Sequence, residues 1–96
     1  MHTLSAARLE ELLAALAPLT VAVVGDYCLD VYLWVDTAAS EISVETGLAT
    51  LPVARQRCSL GGAGNVAASL LAMGVRDVRA VGVLGADPYG AEMVRL

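Results

Sequence analysis

Asp30 stands in a run of strict alternation, with Asp30, Tyr32, Trp34 and Asp36 on one side and Leu29, Val31, Leu33 and Val35 on the other. A carboxylate accepts hydrogen bonds from hydroxyls, and aromatic faces beside it cover apolar ring surface, a combination that suits a sugar. The competing reading is an exposed strand whose polar side simply meets water. A second group is Gly61-Gly62-Ala63-Gly64, followed at once by Asn65. Successive glycines let the backbone approach a ligand closely, and a helix behind them offers unpaired N–H groups with a partial positive charge. The same glycines also serve a plain strand-to-helix turn. Asn65 can cap that helix, which is the default reading, or offer a donor and an acceptor to a ligand hydroxyl. Asp26 closes an apolar strand at its carboxyl end, where α/β proteins gather ligands, or only caps the turn.

Other chemistries fit less well. Gly62-Ala-Gly64-Asn-Val-Ala67 matches the G-x-G-x-x-A dinucleotide pattern, but it follows a polar, arginine-bearing segment instead of the first apolar strand. A phosphate-binding loop ending in Gly-Lys is excluded because the chain has no lysine. Cys28 and Cys58 have no metal-ligand spacing and His2 is the only histidine, so no zinc site is expected. Both cysteines read as small buried hydrophobes in a reducing compartment.

The elements that must position these groups can be read along the chain. Leu9, Leu12, Leu13 and Leu16 share a helical face, Thr3 or Ser5 can cap it, and Pro18 stops it, which predicts a helix over 4–17. Thr20 to Gly25 is β-branched and apolar on both faces, as a buried parallel strand requires. Two-faced strands follow at 29–36 and 51–58, the second kept partly in water by Arg55 and Arg57, with no period over 37–50. Val66, Leu70 and Met73 define a helix ending at Gly74. Val78–Leu84 is a second buried strand, and Asp87-Pro88 starts a last helix. This order describes the beginning of an α/β sheet with a small strand excursion. Two core strands do not complete such a sheet, so a natural start at Met1 and a truncated end at Leu96 are expected.

With 96 residues, 57% hydrophobic and 17% charged, the chain is one collapsing domain rather than a disordered segment. Six arginines against ten carboxylates give a net charge of −4 and no single-sign patch, which argues against nucleic acid. The uncharged run from Leu12 to Gly25 is shorter than the roughly 20 residues a bilayer needs, and Glu10 and Glu11 stand where a signal peptide wants positive charge. The expectation is a cytoplasmic protein without a membrane segment.

Taken together, Gly25-Asp-Tyr-Cys-Leu-Asp30, Gly61-Gly-Ala-Gly-Asn65-Val-Ala67 and Val81-Gly-Val-Leu-Gly85-Ala-Asp87 resemble the N-terminal part of ribokinase-like (PfkB-type) carbohydrate kinases. The match spans nearly all of residues 20–96. Ser40-Glu-Ile-Ser-Val-Glu45 adds a likeness to sugar kinases related to the heptose-7-phosphate kinase half of bifunctional ADP-heptose synthases. The chain departs from the pattern at Ala86, where an aspartate is common, in a Gly74-to-Gly85 spacing one residue longer than usual, and in the lid segment at Val44 and Thr46.

The resemblance implies the N-terminal portion of a three-layer α/β/α sheet with a projecting β lid, and phosphoryl transfer from ATP, with Mg2+, to a sugar hydroxyl. Asp30 would hold sugar hydroxyls, Gly61 and Gly62 would present backbone N–H groups, and Asn65 would bond another hydroxyl. The catalytic aspartate and most of the ATP and Mg2+ site would belong to a C-terminal half absent here, leaving residues 1–96 inactive alone. The resemblance also implies a homodimer formed through the lid. The alternatives are an NAD(P)-binding oxidoreductase fragment and a non-catalytic strand-pairing module.

Overall fold

The computed structural model describes residues 2–96; Met1, read above as a natural start, lies outside them. The elements follow the order the sequence predicts: α1 (Ala6–Leu16), β1 (Thr20–Val24), β2 (Tyr27–Val35), β3 (Val53–Gly62), α2 (Ala63–Ala72), β4 (Asp77–Val81) and α3 (Pro88–Arg95). Of the two candidate caps for α1, Ser5 is the one used: its hydroxyl accepts from the Arg8 N–H at 3.1 Å. Asp87 caps α3 through a 2.7 Å bond from the Gly90 N–H, with Pro88 at the first helical position. Near the end of α3, hydrogen bonding from Arg95 holds the Glu92 carboxyl below its ordinary pKa and raises that of the guanidinium.

The strands form two separate pairs. β1 and β4 are parallel, in register from Thr20 opposite Asp77 to Val24 opposite Val81. A parallel pair needs a long crossover, and here it contains the whole ribbon and α2. β2 and β3 pair antiparallel as a ribbon, with one irregularity between Trp34 and Val35. Beyond that point the chain turns through a short 3-10 segment, Thr37–Ala39, and an isolated bridge between Ile42 and Ala49. Side chains knit this unperiodic stretch: the Ser40 hydroxyl donates to the Thr50 carbonyl at 2.6 Å, and Thr50 Oγ1 accepts from the Glu41 N–H at 3.0 Å.

The α/β expectation therefore holds for a small mixed domain, and three details of it need correction. β1 and β4 are not buried: Val24 is 75% and Val81 50% exposed, because α2 contacts this pair while the apolar character of both strand faces calls for more cover than one helix gives. The lid strands expected at 29–36 and 51–58 are instead Tyr27–Val35 and Val53–Gly62, since the glycines thought to form a loop continue the ladder. Cys28 is exposed and Cys58 half-buried, both as free thiols, because each lies on the ribbon away from a packed interior.

The same shortage of cover shows in the dimensions. The radius of gyration is 20.7 Å, against about 12–13 Å for a compact chain of this length, and the long axis is 65 Å. Among the described residues, Val75 is the only buried apolar side chain. Burial at roughly 25 cal/mol per Å2 is the main favourable contribution to folding, and little of it is realised here. A polypeptide of these 96 residues alone should therefore bind a hydrophobic dye and unfold in urea over a broad, non-cooperative range. A single sharp transition without dye binding would contradict this account.

Candidate functional site

The base of the ribbon, where it meets α2, gathers the residues selected from the sequence. Cys28 pairs with Gly61, Tyr27 with Gly62 and Asp30 with Ser59, so Asp30 stands diagonally across from Gly61 on the same face. The approach is close: a Cβ built on Gly61 would lie 2.6 Å from Asp30 Oδ2. Glycine at 61 thus leaves the space the Asp30 carboxylate occupies. Gly61 is buried and Asp30 exposed, so the carboxylate covers the glycine while its outer side meets solvent.

Gly62 makes the change from strand to helix in one residue. Its φ of 56° lies in the left-handed region, and a Cβ there would come within 2.5 Å of the Asp26 carbonyl oxygen. That carbonyl accepts the Ala63 N–H at 2.8 Å, tying the β1–β2 corner to the first residue of α2. α2 has no side-chain cap, so the default reading of Asn65 as a cap is not what the structure shows. Asn65 is exposed in the first turn, and its backbone carbonyl accepts the Ser69 hydroxyl at 2.8 Å. The structure thus brings Asp30 and Gly61 into contact and sets Gly62 and Asn65 immediately beyond them along the chain.

The dinucleotide reading loses its structural context here. Its first glycine, Gly62, ends a strand antiparallel to β2, whereas that motif needs a parallel strand running into the helix. Among the described residues no group of three or more His, Cys, Asp or Glu side chains is placed to hold a metal ion. Among the described residues no helix is long and apolar enough to cross a membrane.

Sequence reasoning passed over two features of this region. Tyr27 donates its hydroxyl to the Val23 carbonyl at 2.8 Å and lines an apolar cleft of about 390 Å3 with Leu60, Leu71, Val78 and Met93. Arg57 lies over Tyr32, 5.2 Å from the ring centroid, and Arg55 over Trp34 at 3.9 Å. The sequence alone presents these arginines only as solvating groups. Their pairing with the aromatic face becomes legible once 29–36 and 51–58 are set antiparallel in the observed register, since each arginine is then the direct cross-strand partner of its ring.

No protein-family model matches the chain. Relatives are found among curated proteins: "Bifunctional protein HldE" of Geobacter metallireducens is 42% identical over 81 residues, 84% of this chain and 16% of the relative. The protein of the same name from Geobacter sulfurreducens is 41% identical over 81 residues, with the same coverage of both chains. That of Trichlorobacter lovleyi is 41% identical over 86 residues, 90% of this chain and 17% of the relative. At about 40% identity over most of its length, the chain is a homologue of the HldE bifunctional proteins, in keeping with the resemblance carried by its glycine and aspartate motifs. It spans about 16% of the length of the curated relatives it matches.

The Asp30–Gly61 contact makes a prediction that precedes any assignment of activity. The atom in the way of a Gly61→Ala side chain is the far end of a mobile carboxylate, so the fold should lose no more than about 1 kcal/mol while Asp30 is pushed aside. In an Asp30→Ala background of the full-length protein the same substitution should cost measurably less, a coupling on the order of 0.5 kcal/mol or more in a urea double-mutant cycle. Additive effects would show that the two residues do not meet.

Proposed function

We propose that this chain supplies the acceptor end of a sugar or sugar-phosphate kinase, an ATP-dependent phosphotransferase related to the heptose-7-phosphate kinase part of bifunctional ADP-heptose synthases. The observation that carries this reading is the Asp30 carboxylate resting against Gly61 at the foot of the ribbon, beside Tyr32 and just ahead of α2. Homology to the HldE proteins supports it. In this reading the ribbon is the lid over the sugar, and the parallel β1–β4 pair with α2 belongs to a three-layer α/β/α sheet completed by further strands.

The mechanism open to these residues is positioning. The Asp30 side chain accepts hydrogen bonds from two sugar hydroxyls and so fixes the ring's rotation over Gly61, where the absence of a side chain allows close approach. Asn65 orients a further hydroxyl with either its carbonyl or its amide. Gly61 and Gly62 turn the backbone from ladder to helix within hydrogen-bond reach of the same ligand. ATP supplies the phosphoryl group and Mg2+ neutralises charge on it, but the described residues contain no donor set for the metal and no lysine for the phosphates. Their sites lie mostly outside this chain on this reading, as does the base that activates the hydroxyl. The aliphatic side of the ribbon, with Val31 38%, Leu33 53% and Val35 40% exposed, is then the surface through which a second copy would cover the first.

Two outcomes test the reading. In the full-length protein, Asp30→Asn keeps the side-chain volume but weakens charge-assisted bonds of roughly 1.5–3 kcal/mol each, so the sugar KM should rise steeply while the ATP KM changes little. Asn65→Ala should act in the same direction, with little change in Tm because no cap is lost. Unchanged sugar kinetics in both folded variants would sink the sugar site. Separately, residues 1–96 alone should show no Mg2+-dependent ATP turnover with a panel of sugars and sugar phosphates; turnover by the purified piece would refute the division of labour proposed here.

A further inference from the structure

Only Gly25 and Asp26 stand between β1 and β2, so the ribbon leaves the parallel pair through a two-residue corner. Two backbone bonds secure it: the Gly25 N–H donates to the Val81 carbonyl at 3.1 Å, and the Ala63 N–H donates to the Asp26 carbonyl at 2.8 Å. One side chain crosses the corner as well. Tyr27, half-buried at the first position of β2, reaches back four residues to donate its hydroxyl to the Val23 carbonyl at 2.8 Å. Its ring lies against Gly82, just past the end of β4, where a Cβ would stand 2.8 Å from Tyr27 Cδ2 and 3.1 Å from the Gly25 carbonyl oxygen. The ring is thus fitted into the angle between the ribbon and the parallel pair, and the glycine leaves room for it.

The groups read as holding the sugar depend on that angle differently. Asn65 belongs to α2, which packs on both strands of the parallel pair as well as on the foot of the ribbon, whereas Asp30 travels with β2. Tyr27 and Asp30 are three residues apart on one strand and therefore face opposite sides, so Tyr27 acts on a ligand of the Asp30 face only through the backbone. At about 3.3 Å per residue, Asp30 stands roughly 10 Å up the strand, and a swing of about 10° at the corner would shift it by about 2 Å. Displacements of that size are costly for a group that orients a reacting hydroxyl. We propose that Tyr27 is a positioning residue: its hydroxyl on Val23 and its ring against Gly82 set the angle at which the ribbon leaves the parallel pair, and with it the spacing of Asp30 from Asn65. This rests on the reading of those two residues as the sugar-holding groups. The hydroxyl can bias the angle by no more than its own net strength, which for one neutral hydrogen bond corresponds to roughly a 2- to 10-fold change in affinity.

The full-length protein tests this with Tyr27→Phe, which keeps the ring and removes only the hydroxyl, Tyr27→Leu, which removes both, Asp30→Asn, and Tyr27→Phe combined with Asp30→Asn. The acceptor is whichever of a panel of sugars and sugar phosphates wild type phosphorylates fastest, and Tm is measured for each variant. Tyr27→Phe should raise the acceptor KM roughly 2- to 10-fold while the ATP KM stays unchanged, and Tyr27→Leu should raise it further. In the Asp30→Asn background the effect of Tyr27→Phe should shrink toward none, because the bonds it misplaces are already weakened. Spin labels at Glu45→Cys, beyond the outer end of the ribbon, and Arg79→Cys on β4 read the angle directly, in a background without other cysteines and diluted with unlabelled protein. Tyr27→Phe should broaden or shift their distance distribution. A lower Tm with unchanged acceptor KM, equal rises in both KM values, full additivity with Asp30→Asn, or an unchanged distance distribution would each overturn the positioning role. The underlying site fails differently: an acceptor KM that Asp30→Asn leaves unchanged, or no turnover of any panel member by wild type, would remove the sugar site itself, whatever the labels report about the corner.

Discussion

The antiparallel register between β2 and β3 determines where every chemically useful group on the ribbon stands. Because side chains alternate with period two, a slip of one residue would carry Asp30, Tyr32 and Trp34 to the opposite face from Ser59, Arg57 and Arg55 and separate Asp30 from Gly61. The register is pinned at its base, where the Asp26 carbonyl accepts the Ala63 N–H and Gly62 turns directly into α2 at positive φ. Farther out, Arg57 on Tyr32 and Arg55 on Trp34 add cross-strand contacts worth about 0.5–1 kcal/mol each at exposed positions. The ribbon's apolar face contributes little to fixing it, since Val31, Leu33 and Val35 remain substantially exposed.

Much of this was legible in the sequence because the signals were local. The alternation over 29–36 correctly separated the face of Asp30 from that of Leu29 and Val31, and the apolar spacing of Val66, Leu70 and Met73 located α2. Asp87-Pro88 marked the start of α3 because its cap and first-turn proline act within a few residues. What local chemistry does not encode is partnership. Gly61 and Gly62 read as a loop because glycine is poor in strands, yet they stay in register opposite Cys28 and Tyr27, and the strand runs on to the helix. The stacking of Arg55 and Arg57 was hidden for the same reason: both residues are polar in isolation and acquire their role only when Trp34 and Tyr32 arrive from about twenty residues upstream.

Burial was the least legible quantity. An apolar strand such as Thr20–Val24 signals that its surroundings should be covered on both faces, but it carries no information about which segment does the covering. Here α2 takes part of one face, and Val24 and Val81 stay open. Cys28 illustrates the same limit, since a residue type that is most often buried sits exposed at the foot of the ribbon.

That openness bears on the chemistry proposed for the ribbon face. A carboxylate and guanidinium groups in contact with water gain little from any one ligand contact, because solvent competes for every hydrogen bond and screens the charges. The same groups become effective when a surface closes over them and the local dielectric falls. Asp30 is set against a buried glycine and Arg57 over an aromatic ring, and both side chains remain exposed to water. On the sugar-kinase reading, the remaining desolvation must come from the ligand and from whatever packs over the ribbon's mouth. Selectivity would then arise from the spacing of the rungs along the strand, which the backbone fixes before any ligand arrives.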